Sequence, residues 1–391
     1  MFLDATLRRN PELIKAALEL HKKGEITPDT YVLDVDSIEE NAKNLARYAE
    51  ENGVKLYMMT KQIGRNPEVA KRIAKLGIEK SVAVDPWEAV SLAKAGIKLG
   101  NVGHLVQIPD SMIEEILSYD PEVVTVFTIE KARMISKLAE ISGKKQGILL
   151  KVVGKNDVVY EGQLGGFKEE ELINAVTELK KLGGIYIAGV TAFPCFLYDD
   201  EKKNIALTEN GKTVIRAAKV LKETMGIDIK QINVPSATSI STIPLLKELG
   251  ATHGEPGHAL TGTIPLQSNE DQVEIPSMVY VSEISHTFEN KAYVYGGGYY
   301  RRSKMKHALV GKSFEEMTEK KLEIEEIALD SIDYYGTLKM KEHTVDIGDT
   351  VIYSFRSQIF VTRSKVALVE GIHKGSPLLI GIYDSLGKKL K

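Results

Sequence analysis

The sequence predicts an α/β protein of two domains, a (β/α)8 TIM barrel followed by a C-terminal β-rich domain. Three observations predict it. From Val54 onward, short β-rich runs alternate with amphipathic helical stretches at a repeat of roughly 25 to 35 residues, the pattern of βα units in a parallel sheet. Eight such runs fit within roughly 220 residues, the size of one barrel. After about residue 275 the helical periodicity mostly stops and strand-like runs take over.

Residues 1–29, which include NPELIKAALELHKKGE, are expected to form an N-terminal helical extension. Residues 30–270 are assigned to the barrel. The segment TPDTYVLDVDSIEENAKNLARYAEENG, before the first barrel strand, holds a short strand and then a helix whose N-cap is Asp36 or Ser37. The barrel strands are then VKLYMMT ending at Thr60, KSVAVD at Asp85, HLVQI at Ile108, VVTVF at Phe127, GILLKVV at Val153, GIYIAGVTAF at Phe193, KQINVP at Pro235 and GATHGE at Glu255. Helical segments such as NPEVAKRIAKLG, PWEAVSLAKAG and KEEELINAVTELKKLG lie between them, several ending in the glycine that suits a helix C-terminus. Residues 271–391 form the β domain, with VYVSEIS, KAYVYG, DTVIYSF, QIFVTR and LLIGIYD as strands and GKSFEEMTEKKLEIEEIA as a helix-like island.

Composition narrows the function. Of 391 residues 43% are hydrophobic, enough for a sizeable core, and no charge-poor apolar stretch is long enough to span a membrane. Lys plus Arg number 51 against 54 Asp plus Glu, so the net charge is -3 and no basic surface for nucleic acid is indicated. The N-terminus lacks the apolar core of a secretion signal, and a cytoplasmic location is expected. The single cysteine, Cys195, excludes an intrachain disulfide and a multi-cysteine zinc cluster, and reads as a small buried hydrophobe.

Lys61, in YMMTKQIGRNP, stands at the C-terminal end of the first barrel strand, the end that carries the active site in barrels. A lysine partly desolvated there has a lowered pKa and a free amine able to form a Schiff base with an aldehyde; a solvated strand-end lysine is the alternative. After the seventh strand, NVPSATSIST places Ser236, Thr238 and Ser239 before a helix, an arrangement that favours an anion. After the eighth, HGEPGHALTG offers the Glu255 carboxylate and, at Gly257 and His258, backbone able to approach a ligand. Ordinary βα turns explain either loop alone. A Schiff-base lysine, a phosphate cradle and a carboxylate at one barrel mouth jointly match pyridoxal 5′-phosphate, an aldehyde with a phosphate tail and a pyridine nitrogen.

With those segments in order, residues 30 to about 265 and the β domain resemble the alanine-racemase-like enzymes of fold type III, which depend on pyridoxal phosphate; the group of YhfX-like amino-acid racemases resembles them most. YVLDVDSIEENAKNL is similar to that family's opening strand and helix, TKQIGRNPEVAKRIAKLGI to its lysine segment, most of all in the ornithine-racemase branch, and VAVDPWEAVSLAKAGI to the following unit. The resemblance implies Lys61 as the Schiff-base lysine. It puts Glu255 where alanine racemases have an arginine facing the pyridine nitrogen, in an EPG run like that of the barrel-type decarboxylases. A carboxylate there holds the ring nitrogen protonated and stabilises a carbanion at Cα. Gln163, in YEGQLGGF, stands where the family has an arginine beside the cofactor's phenolic oxygen, and Thr191 or Phe193 where many members have a histidine against the ring.

Racemisation needs a second acid/base opposite the lysine. In the family it is a tyrosine of the partner subunit's β domain, so the resemblance implies a homodimer with an active site completed in trans. AYVYGGGYYRRSKM offers Tyr299, with Tyr295 and Tyr300 as rivals. The expected activity is amino-acid racemisation; a decarboxylase, which EPG favours and the missing Cys-Asp pair opposes, and a non-catalytic binder of the cofactor are the alternatives. No metal is expected, since His286, His307, His343 and His373 are scattered and no cysteine accompanies them.

Overall fold

The computed structural model describes residues 2–300, 303, 305–326 and 332–391. They divide into two compact units, a barrel unit of Ala42–Thr60 and Ala70–Gly257 and a β unit of Met1–Asn41, Lys61–Val69 and His258–Lys391.

In the β unit, a first strand β1 (Thr30–Asp34) precedes the barrel in the chain. The barrel unit holds β2 (Lys55–Met59), β3 (Lys80–Ala83), β4 (Lys98–Val102), β5 (Val123–Val126), β6 (Gln146–Val153), β7 (Ile185–Thr191), β8 (Gln231–Asn233) and β9 (His253–Gly254). All eight run parallel, and the pairings β2–β9 and β5–β6 close them into a barrel. The first seven barrel strands are each followed by an α-helix, and some of these starts are written in the sequence. Asp85, for example, accepts a hydrogen bond from the Glu88 N–H at 2.8 Å, and Pro86 opens the helix Pro86–Lys94 where no N–H is needed. Near the N-terminal ends of the strands the interior is plugged by linked polar side chains: Gln231 Nε2 donates to the Tyr57 hydroxyl at 3.0 Å and to Glu122 at 2.9 Å, and Lys80 pairs with Glu122 at 2.5 Å. The His253 ring packs on Tyr57 at 4.9 Å, and burial lowers its pKa to about 4.

The β unit continues with β10 (Met278–Phe288), β11 (Lys291–Tyr295), β12 (His307–Gly311), β13 (Lys321–Glu325), β14 (Tyr335–Lys339), β15 (Thr350–Tyr353), β16 (Lys365–Glu370) and β17 (Leu378–Asp384). The sheet order is β11-β14-β13-β12-β15-β10-β1-β16-β17, and β10 also pairs with β11, closing six antiparallel strands on themselves. Leu13, Ile14, Ala17 and Leu18 of the helix Pro11–Lys22 pack with Val32, Val279, Val281, Leu309 and Ile352 in one core.

Several expectations are corrected. The residues expected to begin the barrel, from 30 onward, start with β1, which is buried along its whole length and joins the other sheet, antiparallel to β10 and parallel to β16. The N-terminal helices belong to the same unit, as do residues 258–270. The helix after β1 (Val35–Asn52) is capped two or three residues early, by Asp34, whose carboxylate accepts from the N–H and hydroxyl of Ser37, rather than by Asp36 or Ser37. The third barrel strand is KLGNV rather than HLVQI. Its glycine and asparagine hide the pattern for physical reasons: the Tyr57 ring lies 2.4 Å from where a Cβ on Gly100 would sit, and Asn101 accepts a hydrogen bond from Thr125 at 2.7 Å inside the barrel. QIFVTR forms a 3-10 turn, Ile359–Val361, and the helix-like island is a short helix, Phe314–Glu319, followed by β13.

Candidate active site

In the barrel unit, the ends of β2 and β3 are locked by Glu88, which is buried, accepts from the Thr60 hydroxyl at 2.5 Å and accepts from the Val84 N–H at 2.9 Å. The Met59 N–H donates to the Pro256 carbonyl at 2.9 Å, tying the first barrel strand to the EPG loop. Lys61 begins the 3-10 turn Lys61–Ile63 directly after this end, as the sequence reading required, and Asn66 caps the next helix, Pro67–Lys75, through the N–H groups of Glu68 and Val69.

Glu255 follows β9, the strand paired with β2, and its side chain is buried. Its backbone N–H donates to the Thr238 hydroxyl at 2.9 Å, so the loops after β8 and β9 are joined. Its Oε2 lies 3.7 Å from Nε2 of His104, which is fully buried after β4. The His104 ring meets Phe193 edge-on at 5.7 Å, and Phe193 in turn meets Tyr160 at 6.0 Å.

The predicted phosphate loop is organised differently from the expectation. Ser236 and Ala237 both have positive φ, at 81° and 49°, a backbone conformation that costs energy for residues other than glycine. The Ser236 hydroxyl is committed to the Phe196 backbone, accepting from its N–H at 2.9 Å and donating to its carbonyl at 2.7 Å. Ser239 donates its N–H to the Thr242 hydroxyl at 2.8 Å, and its own hydroxyl lies 2.9 Å from that of Ser241. The following helix begins only at Ile243 and has six residues, so the loop hydroxyls shape the turn and do not sit at a long helix N-terminus.

On β6, Lys151 is buried, donates to the Gln163 carbonyl at 3.0 Å and lies over the Phe127 ring at 4.3 Å; burial lowers its pKa to about 8. Gln163 Oε1, Thr191 Oγ1 and both amide atoms of Asn233 are buried with no hydrogen-bond partner among the described residues. Thr191 and Asn233 stand side by side in the β7–β8 register. Buried polar atoms without partners cost about 1 to 3 kcal/mol each, so a polar ligand fits this end of the barrel. Sequence reasoning named Gln163 and Thr191 but missed Asn233, Lys151 and His104. Asn233 was in view within KQINVP, where a buried amide at a strand's C-terminal end was the available signal.

In the β unit, His258 is held neutral. Burial pushes its pKa well down and the Arg356 and Lys61 charges push it further; the Gln358 amide donates to Nε2 at 3.3 Å, which leaves Nδ1 to donate to the Thr263 hydroxyl at 3.1 Å. The glycine-rich segment is anchored rather than open. Gly297 has φ +122, and a Cβ there would sit 2.2 Å from Oδ2 of Asp29. Asp29 accepts from the Tyr280 hydroxyl at 3.1 Å and from the Ser364 hydroxyl, and Tyr31 donates to the Gly298 carbonyl. Tyr299 is packed edge-on against Tyr280 and Tyr353, its hydroxyl 3.2 Å from that of Tyr353 and 3.3 Å from the Tyr295 carbonyl, and burial pushes its pKa well up. Tyr295, at the end of β11, is 39% exposed and packs against Tyr335 at 6.0 Å. Tyr300 is half-buried. Among the described residues no group of three His, Cys, Asp or Glu could hold a metal ion, and no helix is long and apolar enough to cross a membrane.

A barrel with a lysine and a buried carboxylate at the ends of adjacent strands, followed by an antiparallel β unit, defines a class. Residues 33–265 match the family model of the alanine racemase N-terminal domain, and the chain belongs to the alanine-racemase-like enzymes of fold type III, a family that works with pyridoxal phosphate. Residues 279–379 match the model of the YhfX-like C-terminal domain, and the chain is 46% identical over 391 residues to the Uncharacterized protein YhfX of Escherichia coli (strain K12), with 100% of each chain covered. Among solved structures, the fold is shared with alanine racemase of Clostridium difficile 630 in complex with cycloserine (20% identity, 91% of this chain and 98% of that one, TM-score 0.64). It is also shared with D-threonine aldolase from Filomicrobium marinum (15%, 93% and 96%, 0.66) and D-threo-3-hydroxyaspartate dehydratase from Delftia sp. HT23 (14%, 93% and 97%, 0.65).

Proposed function

We propose that this chain is a cytoplasmic, pyridoxal-phosphate-dependent amino-acid racemase, working as a homodimer whose second acid/base comes from the partner subunit. The observation that carries the reading is the placement of Lys61 directly after β2 and of the buried Glu255 directly after β9, its paired neighbour. When bound, pyridoxal phosphate supplies an electron sink for the charge that develops at the substrate Cα. Lys61 Nζ would hold the cofactor covalently, and Glu255 would accept a hydrogen bond from the ring N–H and keep it protonated. The loop Ser236–Ser239, with the backbone of Gly257 and His258, would take the phosphate through N–H groups other than that of Ser239, since the hydroxyls of Ser236 and Ser239 and the Ser239 N–H are already engaged. Gln163, Thr191 and Asn233 would supply polar atoms around the ring.

Proton movement at Cα needs a group on each face. Lys61 serves one. For the other, the β unit favours Tyr295 over Tyr299, because the Tyr299 hydroxyl is enclosed among aromatic rings while the Tyr295 ring reaches solvent.

The test is incubation with single enantiomers in deuterated water, ornithine and lysine first. The racemase reading expects the opposite enantiomer with deuterium at Cα and no carbon dioxide. Carbon dioxide without inversion would replace it with a decarboxylase, aldehyde or ammonia release with an aldolase or dehydratase, and bound cofactor without turnover with a carrier.

A further inference from the structure

Lys151 is only 4% exposed, and a lysine this deep normally sits against a carboxylate. The groups it meets among the described residues are uncharged. Nζ donates to the Gln163 carbonyl at 3.0 Å and lies over the Phe127 ring at 4.3 Å, and Thr191 stands beside it in the β6–β7 register. Burial accounts for its lowered pKa, and no charged group adds to that shift. An ammonium has three N–H donors, and the Gln163 carbonyl takes one of them.

Side chains two residues apart on a strand share a face. Gln231 meets Tyr57 and Glu122 inside the barrel, so Asn233 also faces inward, and with it Thr191 and Lys151, aligned across the β7–β8 and β6–β7 registers. The hydrogen bond to Gln163, in the loop after β6, draws the amine toward the C-terminal end of the barrel. On the same arc the Thr191 hydroxyl and the Asn233 amide are fully buried without a partner among the described residues. A cation flanked by unused donors matches a ligand that brings an anionic oxygen.

We propose that Lys151, with Thr191 and Asn233 beside it, is a binding residue for an anionic oxygen, either the phenolate of pyridoxal phosphate or the carboxylate of the amino-acid substrate. The inference rests on the reading that the cofactor binds at this end of the barrel. In the empty protein the desolvated ammonium has only neutral contacts; a bound anion offsets that cost and favours the charged amine.

The experiment uses the full chain carrying 13C at lysine Cε, with the Lys151 signal assigned by its loss in Lys151→Met. Its titration midpoint is read in the cofactor-free chain, with pyridoxal phosphate, and with pyridoxal phosphate plus each amino acid that alters the absorbance of the complex. The expected midpoint is about 8 in the cofactor-free chain, rising by about one unit or more once the anion is in place. A rise with pyridoxal phosphate alone supports the proposal with the phenolate as the source; a rise only after the amino acid is added supports it with the carboxylate. No rise in either state overturns it, as does an equal rise with inorganic phosphate, which carries neither oxygen. Lys151→Met keeps the side-chain length and removes a buried charge, so the fold should hold. It should weaken the ligand so identified, cofactor or amino acid, by about tenfold or more, and unchanged affinity for both overturns the proposal. A parent that retains no pyridoxal phosphate ends the cofactor reading and this site with it, whereas a parent that retains it with an unmoved Lys151 midpoint overturns this site alone.

Discussion

Tyr295 and Tyr299 are four residues apart and carry the same phenol, yet their surroundings predict opposite phenotypes for removal of the hydroxyl. In Tyr299→Phe the lost oxygen is the one 3.2 Å from the Tyr353 hydroxyl and 3.3 Å from the Tyr295 carbonyl. Each bond contributes about 0.5 to 1.5 kcal/mol, and Tyr353, buried in the same cluster, is left short of a partner. Unfolding free energy should therefore fall by about 1 to 2 kcal/mol, while turnover stays close to the parent. In Tyr295→Phe the ring is 39% exposed and its packing on Tyr335 needs no hydroxyl. Stability should change by no more than about 0.5 kcal/mol, and racemisation should fall by about 10² or more in at least one direction, the usual scale of a lost general acid/base. Urea unfolding of both variants, beside deuterium incorporation at Cα from each enantiomer, makes the comparison. If Tyr299→Phe loses turnover and Tyr295→Phe keeps it, the base is Tyr299 and the argument from burial is wrong.

Acid should destabilise the barrel through His253. Its folded pKa of about 4 lies below the ordinary 6.5, so the unfolded state takes up the proton first. Stability from this group is complete above pH 6.5 and is lost as pH falls toward 4, by about 3 kcal/mol in all. His253→Asn should flatten that part of the unfolding profile, and an unchanged profile would show that the loss arises elsewhere. Gly297→Ala should destabilise the β unit by about 2 kcal/mol or more, because φ +122 is strained for alanine and the new Cβ meets the Asp29 carboxylate. A stability within 0.5 kcal/mol of the parent in urea unfolding would mean that the Asp29 anchor yields readily.

What the sequence made legible was whatever lies in local periodicity. Val54 to Thr60 reads as a buried strand ending in a lysine, and the barrel delivers that lysine to the end of β2. KLGNV was hidden because its side chains serve distant partners: Gly100 makes room for a tyrosine 43 positions earlier and Asn101 accepts from the next strand. In sequence β1 groups with the barrel domain because a short strand just ahead of the first βα unit suits either sheet, and only the pairings to β10 and β16 settle which one it joins. The site divides in the same way. Glu255 and the Ser236–Ser239 loop follow strand ends and can be named from spacing. His104 and Asn233 acquire meaning only from what surrounds them across the barrel, and the three consecutive glycines gave no hint that one of them makes room for Asp29.

The central claim is that Lys61 carries the cofactor. Borohydride reduction of the purified protein, followed by peptide mass mapping, tests it most directly. The account predicts a visible absorbance band that is lost on reduction and a pyridoxyl group on the peptide containing Lys61. A protein with no such band after incubation with pyridoxal phosphate, or a label on Lys151 or Lys55, would contradict it.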